Sequence, residues 1–303
     1  MSRLNPAAVL CLIFSVIAGK GTPAQAFAEQ AEGKIKVFVS IQPQAFFVEK
    51  VGGEHVDVDI LLPAGQSPHS FEPLPRQLVE LVRAKVFFRI GVPYEQSLLS
   101  KISSIFTGLE VVDTRKGIEL RLMQQGGDHD RNNGNRHEKG SPDPHVWLDP
   151  KLVKVQAENI CEGLRQIDPE HAEDYRSNLL AFKQELDEVD ARITGILAPF
   201  KGKSIYVFHP AYGYFTDSYG LRQVALETGG REPSARELVD IIGRMSDDSV
   251  KVIFIQPEFS GTVVNTLQNA LNCRVIRMDP LARDYICNLV KIAENISQAL
   301  KSL

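Results

Sequence analysis

Residues 169–198, PEHAEDYRSNLLAFKQELDEVDARITGILA, carry the clearest periodicity of the chain. Tyr175, Leu179, Phe182, Leu186, Val189, Ile193 and Ile196 recur at alternating steps of four and three, the spacing of one face of an α-helix. Asp168 stands at the N-cap position, Pro169 suits a first turn and Pro199 marks the end. At about 1.5 Å per residue such a helix spans roughly 45 Å. On either side of it, short β-branched runs alternate with helix-length segments. KIKVFVSI, HVDVDILL, KVFFRI and LEVVD precede it, and SIYVF, LRQVAL, VKVIFI and CRVIRM follow. Strands separated by helices imply βαβ units and mostly parallel sheets. The expected fold is therefore α/β, two lobes each with a mostly parallel sheet flanked by helices, joined by one long rigid helix. A dimeric coiled coil would need the pattern to last beyond about three heptads, and a monomer is expected.

The first residues stand apart from this scheme. Arg3, the thirteen-residue apolar run AAVLCLIFSVIAG and the small residues Ala26 and Ala28 read as a cleaved signal peptide over 1–28. A membrane span would need about twenty apolar residues. The remaining chain divides into an N-terminal lobe at 29–167, a linking helix at 168–199 and a C-terminal lobe at 200–303. Cleavage removes Arg3 and Lys20 and no acid, so the formal net charge moves from −4 to −6. An acidic, exported protein is a poor match for nucleic acid, whose phosphates demand a basic surface. Cys161, Cys273 and Cys287 remain, and in an oxidising compartment Cys273 and Cys287 are the pair closer in sequence for a disulfide. The alternative is three small buried apolar residues. CxxC spacing is absent, which argues against a thiolate metal site.

Four candidate metal ligands share a kind of position. His69 lies in PAGQSPHSFEP after HVDVDILL, His145 in SPDPHVWLDP, His209 directly after SIYVF and Asp279 directly after CRVIRM. In open parallel sheets, ligands bind beyond the carboxyl ends of the strands, so two lobes facing each other would bring these side chains together. Three imidazoles and a carboxylate suit Zn²⁺, whereas calcium and magnesium want more oxygen donors. Asp143 and Asp149 flank His145. Either could orient its ring, although Asp149 before Pro150 reads as a helix cap. Trp147, the single tryptophan, is expected beside the site. His55 and His171 lack a strand-end context and read as ordinary histidines. The loop 124–143, QQGGDHDRNNGNRHEKGSPD, is polar throughout, and its His129 and His137 form either a weak metal-collecting site or plain solvated loop.

Three histidines with an open fourth position also describe a zinc hydrolase. HExxH is absent, and Glu72 is the nearest candidate base. GKS at 202–204 lacks the first glycine of a P-loop and precedes a strand. An exported adhesin or scaffold would use the metal only structurally and would unfold on chelation.

PHSFEP, DPHVWLDP, FHPAYGYF, REPSARELVDII and MDPL occur in the order found in the periplasmic zinc-binding proteins of metal-uptake ABC transporters. Over its mature length the chain resembles this ZnuA/TroA-like family. The resemblance implies zinc held between two lobes by His69, His145 and His209, with Asp279 at the position matching an acidic fourth ligand. It also implies a carrier, not an enzyme, that delivers Zn²⁺ to a membrane permease with a cytoplasmic ATPase. Manganese-specific relatives tend to carry glutamate where this chain has His209, which favours zinc. The loop before His145 is shorter and poorer in histidine than in the most zinc-specialised members.

Overall fold

Each of the eight β-branched runs is a strand. The computed structural model describes residues 33–102, 108–124, 141–227 and 230–302. In the first half, β1 (Ile35–Val39), β2 (Val56–Ile60), β3 (Val86–Arg89) and β4 (Glu110–Asp113) form a sheet of order β2-β1-β3-β4. In the second, β5 (Ser204–Val207), β6 (Arg222–Ala225), β7 (Val252–Ile255) and β8 (Arg274–Arg277) repeat the pattern as β6-β5-β7-β8. Every pairing is parallel, with Val37 level with Val58 and Val86, and Tyr206 level with Val224 and Ile253. The inner strands are apolar without alternation because helices cover both faces: Val86, Phe87 and Phe88 in β3 and Val252 to Ile255 in β7 are all buried. In both sheets the winding direction reverses between the two central strands, which opens a crevice beyond the ends of β1 and β3 and of β5 and β7.

Helix α1 (Gln42–Gly52), α2 (Pro75–Leu81) and α3 (Tyr94–Ile102) complete the first half up to α4 (Pro150–Ile167). Asp149 caps α4, its Oδ1 accepting the Lys151 amide at 2.9 Å, with Pro150 at the first position. The linking helix α5 runs from Ala172 to Leu197 between 3₁₀ turns at Pro169–His171 and Ala198–Phe200. Its 26 residues span about 39 Å, less than the sequence suggests because both prolines sit in the tighter end turns. Asp168 does not cap it. The carboxylate instead accepts bonds from the Tyr175 hydroxyl and from His171 Nδ1.

The apolar stripe of α5 faces inward as its period requires. Tyr175, Phe182, Leu186, Val189 and Ile193 are buried, Leu179 and Ile196 partly so, and Leu197 joins the buried set. The helix packs against α1 and α4 of the first half and against α9 (Tyr285–Lys301) at the chain end. Phe47 of α1 meets Phe182 at 6.0 Å and Tyr285 at 4.8 Å between ring centroids. One apolar core thus runs from β1 to α9 through the linking helix. Helices α6 (Gly213–Ser218), α7 (Ala235–Asp247) and α8 (Gly261–Leu271) flank the second sheet.

The three described cysteines are free, so the expected bridge between Cys273 and Cys287 does not form. Cys273 is buried beneath α8, its thiol directed at the Leu267 carbonyl, while Cys287 is exposed on α9. Among the described residues no helix is long and apolar enough to cross a membrane. The signal peptide expected at 1–28 and the loop histidines His129 and His137 lie outside the described residues.

Candidate metal centre

His69 lies in the loop leaving β2, His145 just before the 3₁₀ turn Val146–Leu148 that leads into α4, and His209 two residues beyond β5. The chain brings all three together. Ring centroids are 4.6 Å apart for His69 and His209, 5.3 Å for His145 and His209, and 6.2 Å for His69 and His145. One nitrogen of each ring lies within 4.8 Å of the other two. Tetrahedral zinc with ordinary bond lengths sets its nitrogens about 3.3 Å apart, so a modest contraction closes the set on a metal.

Two rings are oriented by carboxylates. His145 Nδ1 donates to Asp143 Oδ1 at 2.7 Å, and His209 Nδ1 donates to Glu227 Oε1 at 2.5 Å. A carboxylate only accepts, so the proton sits on Nδ1 and the Nε2 lone pair is left for a metal. Nε2 of His69 and Nε2 of His209 are buried and have no hydrogen-bond partner, a costly condition that a bound cation relieves. Burial, and then the neighbouring charges of His209 and His145, push the His69 pKa down to about 3, and burial lowers that of His209. Both rings are therefore neutral at neutral pH, the form that coordinates.

The surrounding contacts cross between the two halves. Tyr214 of α6 donates to the Asp143 carbonyl at 3.0 Å, and Arg121 Nε stands 3.7 Å from the Asp143 carboxylate. Trp147 packs 5.0 Å from the His145 ring and donates to the Pro280 carbonyl at 2.7 Å, bearing out its expected place. Asp149 serves as the α4 cap and accepts from Ser218 at 2.6 Å, so of the two flanking aspartates only Asp143 orients the histidine. Glu227 also accepts the Gly230 amide at 2.9 Å. Gly230, at φ +63°, lies so close over His69 that a Cβ there would come within 2.2 Å of the ring. The Ser67 hydroxyl bonds the Gly230 carbonyl at 3.0 Å and completes this cover.

The histidines line a cavity together with Trp147, Gln256 and Glu258. Asp279 stands outside the group: neither of its oxygens lies within 4.8 Å of all three nitrogens. Its Oδ1 accepts the Leu281 amide at 2.8 Å, and the residue lines an adjoining cavity with Arg283 and Glu258. Sequence reasoning missed Glu227 and Glu258. Both follow strands, in LRQVALE and VKVIFIQPE, so the strand-end rule that selects His209 reaches them as well. Burial, with the Asp279 charge adding, pushes the Glu258 carboxyl up to about 7. Glu72 is exposed and does not line the cavity.

A family model described as zinc-uptake complex component A, periplasmic, matches residues 37–299. Zinc-binding protein AdcA of Streptococcus pyogenes is 31% identical over 265 residues, covering 83% of this chain and 51% of AdcA, so the chain spans about half the length of that relative. High-affinity zinc uptake system protein ZnuA of Yersinia pestis is 25% identical over 279 residues, covering 86% of this chain and 88% of ZnuA. A crystal structure of ZnuA superposes with a TM-score of 0.77 at 34% identity, covering 88% of this chain and 99% of that one. The periplasmic zinc-binding protein TroA of Treponema pallidum has the same fold, at 21% identity and a TM-score of 0.75 over 88% of this chain and 99% of TroA. With a match that runs from β1 to the last turns of α9, the chain belongs to the family of periplasmic zinc-uptake complex component A.

Proposed function

We propose that this chain is the zinc-binding component of an ABC-type uptake system, exported by a cleaved signal peptide and working as a periplasmic monomer. It captures Zn²⁺ between its two lobes and delivers it to a membrane permease driven by a cytoplasmic ATPase. The observation that carries the reading is the set of three converging imidazole nitrogens, of which two are buried and unpartnered. His69, His145 and His209 are the ligands. Nitrogen donors suit zinc better than manganese or magnesium, which prefer oxygen. The family is one of metal-binding solute carriers, and the hydrolase alternative falls with that membership.

Capture needs neutral imidazoles already facing one another, and the burial of His69 and His209 supplies them. Release calls for a change of geometry. Because α5 is packed on both halves along its length, we place that change in the covering loops around His69 and His209, not in a wide hinge. The test is metal analysis of the purified protein with a competitive zinc titration. One zinc per chain, lost on replacement of any of the three histidines by alanine, is expected. A wild type that takes up no zinc, or a His145→Ala protein that binds as the wild type does, overturns the reading.

A further inference from the structure

We propose that Glu258, and not Asp279, supplies the carboxylate that completes the donor set around the bound cation. The inference rests on the zinc-carrier reading and names the one residue of the site that the three histidines leave open. Three neutral imidazoles bring no negative charge of their own to the +2 ion, and the carboxylates of Asp143 and Glu227 reach it only through the rings of His145 and His209, so a directly bound carboxylate is favoured in a largely buried cavity.

Each nearby carboxylate can be assigned in turn. Asp143 is bonded to His145 and stands beside Arg121. Glu227 accepts from His209 Nδ1 and from the Gly230 amide. Asp279 lines the adjoining cavity, as Glu258 also does, but not the histidine cavity, and it accepts the Leu281 amide. Glu258 lines the histidine cavity itself, and its Oε2 is buried without a hydrogen-bond partner. It follows β7 at the crevice of the second sheet, the place where the topology collects ligands.

Gln256 supports the assignment independently. It is only 1% exposed and lines the same cavity, and its Nε2 donates to the His209 carbonyl at 3.1 Å while its Oε1 is left without a partner. The turn after β7 thus presents two unpartnered oxygens to a cavity whose other free atoms are imidazole nitrogens. Like Asp279, Glu258 is outside the 4.8 Å group. Its longer side chain has one more torsion than that of Asp279, and rotation toward the histidines gives up only the bond of its carboxylate to its own backbone amide.

The experiment is a competitive zinc titration of the wild type, Glu258→Gln and Asp279→Asn, with the visible spectrum of each protein loaded with Co²⁺ as a report on the donor set. Glu258→Gln is expected to bind zinc about 10- to 100-fold more weakly and to shift the Co²⁺ spectrum, while Asp279→Asn leaves the spectrum unchanged. If Glu258→Gln does not fold, Glu258→Asp keeps the charge and shortens the reach, and the same spectral shift is expected. A normal affinity and spectrum in the Glu258 variant, or the shift appearing in Asp279→Asn instead, overturns the assignment and leaves the carrier reading standing. A wild type that binds no zinc overturns both.

Discussion

Two histidine clusters in this chain answer to opposite physics. Around the central cavity, His69, His145 and His209 turn their nitrogens toward one another, and two of the Nε2 atoms have no partner. At the start of α5, His55 and His171 stack ring on ring at 3.8 Å, and each already holds a carboxylate. His55 Nε2 pairs with Asp174 at 2.9 Å and His171 Nδ1 with Asp168 at 2.7 Å. Asp168, Glu170 and His171 also bring donor atoms within 4.8 Å of one another, so proximity alone does not distinguish the clusters. What distinguishes them is satisfaction. The first cluster is buried, which lowers the pKa values of His69 and His209, and it is short of partners, which favours a cation. The second is more open and already paired, and its hydrogen bond to Asp168 raises the His171 pKa. A metal-ready site is recognised by what its buried donors lack.

The comparison breaks most directly on affinity. Replacing His145 or His209 with alanine should weaken zinc binding by at least about 100-fold, roughly 2.7 kcal/mol, in a chelator competition titration. The double replacement of His55 and His171 should leave that affinity within about twofold. Equal losses from both clusters would dissolve the distinction. Next come the orienting carboxylates. Asp143→Asn and Glu227→Gln leave the ligands in place and loosen their rings, and each should cost about 10- to 100-fold in affinity by the same titration.

Proton titration sharpens the contrast further, because the signs are opposite. In the metal-free protein the folded state keeps His69 neutral down to about pH 3, while the unfolded chain takes up a proton near 6.5. His69 therefore makes the fold less stable as pH falls from about 6.5 toward 3. His171 has a raised folded value, so its pairing with Asp168 contributes fully below about 6.5 and is lost as pH rises through that higher value. Ring-proton NMR should find His69 titrating far below His171, and the reverse order would refute the electrostatic account. The smallest effect is on folding: His171→Gln should lower the thermal midpoint only slightly, and the decrement should shrink as the pH is raised. The core provides a scale, since Phe182→Ala, at 1% exposure between the halves, should cost about 3–5 kcal/mol in denaturant unfolding.

Much of the fold was legible because it is written in short-range patterns. The β-branched runs became strands β1 to β8, and the stripe from Tyr175 to Ile193 became the buried face of α5. Asp149 before Pro150 announced a cap and serves as one. The end of the linking helix was less legible. Asp168 has the composition of a cap, but His171 and Tyr175 claim its carboxylate, a competition that only three-dimensional neighbours reveal. The disulfide expected between Cys273 and Cys287 failed for a similar reason, because sequence spacing does not report which side of a helix or turn a sulfur faces.

By itself, then, the sequence determined the local conformations, the parallel α/β class and the three histidines at the ends of their segments, since periodicity, caps and strand ends depend on residues close in the chain. Tertiary structure alone decided what each nearby carboxylate touches. Asp143 and Glu227 hold ring nitrogens, Asp279 accepts the Leu281 amide, and Glu258 holds an unpartnered oxygen in the cavity. All four are acids near the ends of elements and look alike in a string of letters. Their roles differ because a carboxylate acts through what lies within about 3 Å of it, and those neighbours come from distant parts of the chain.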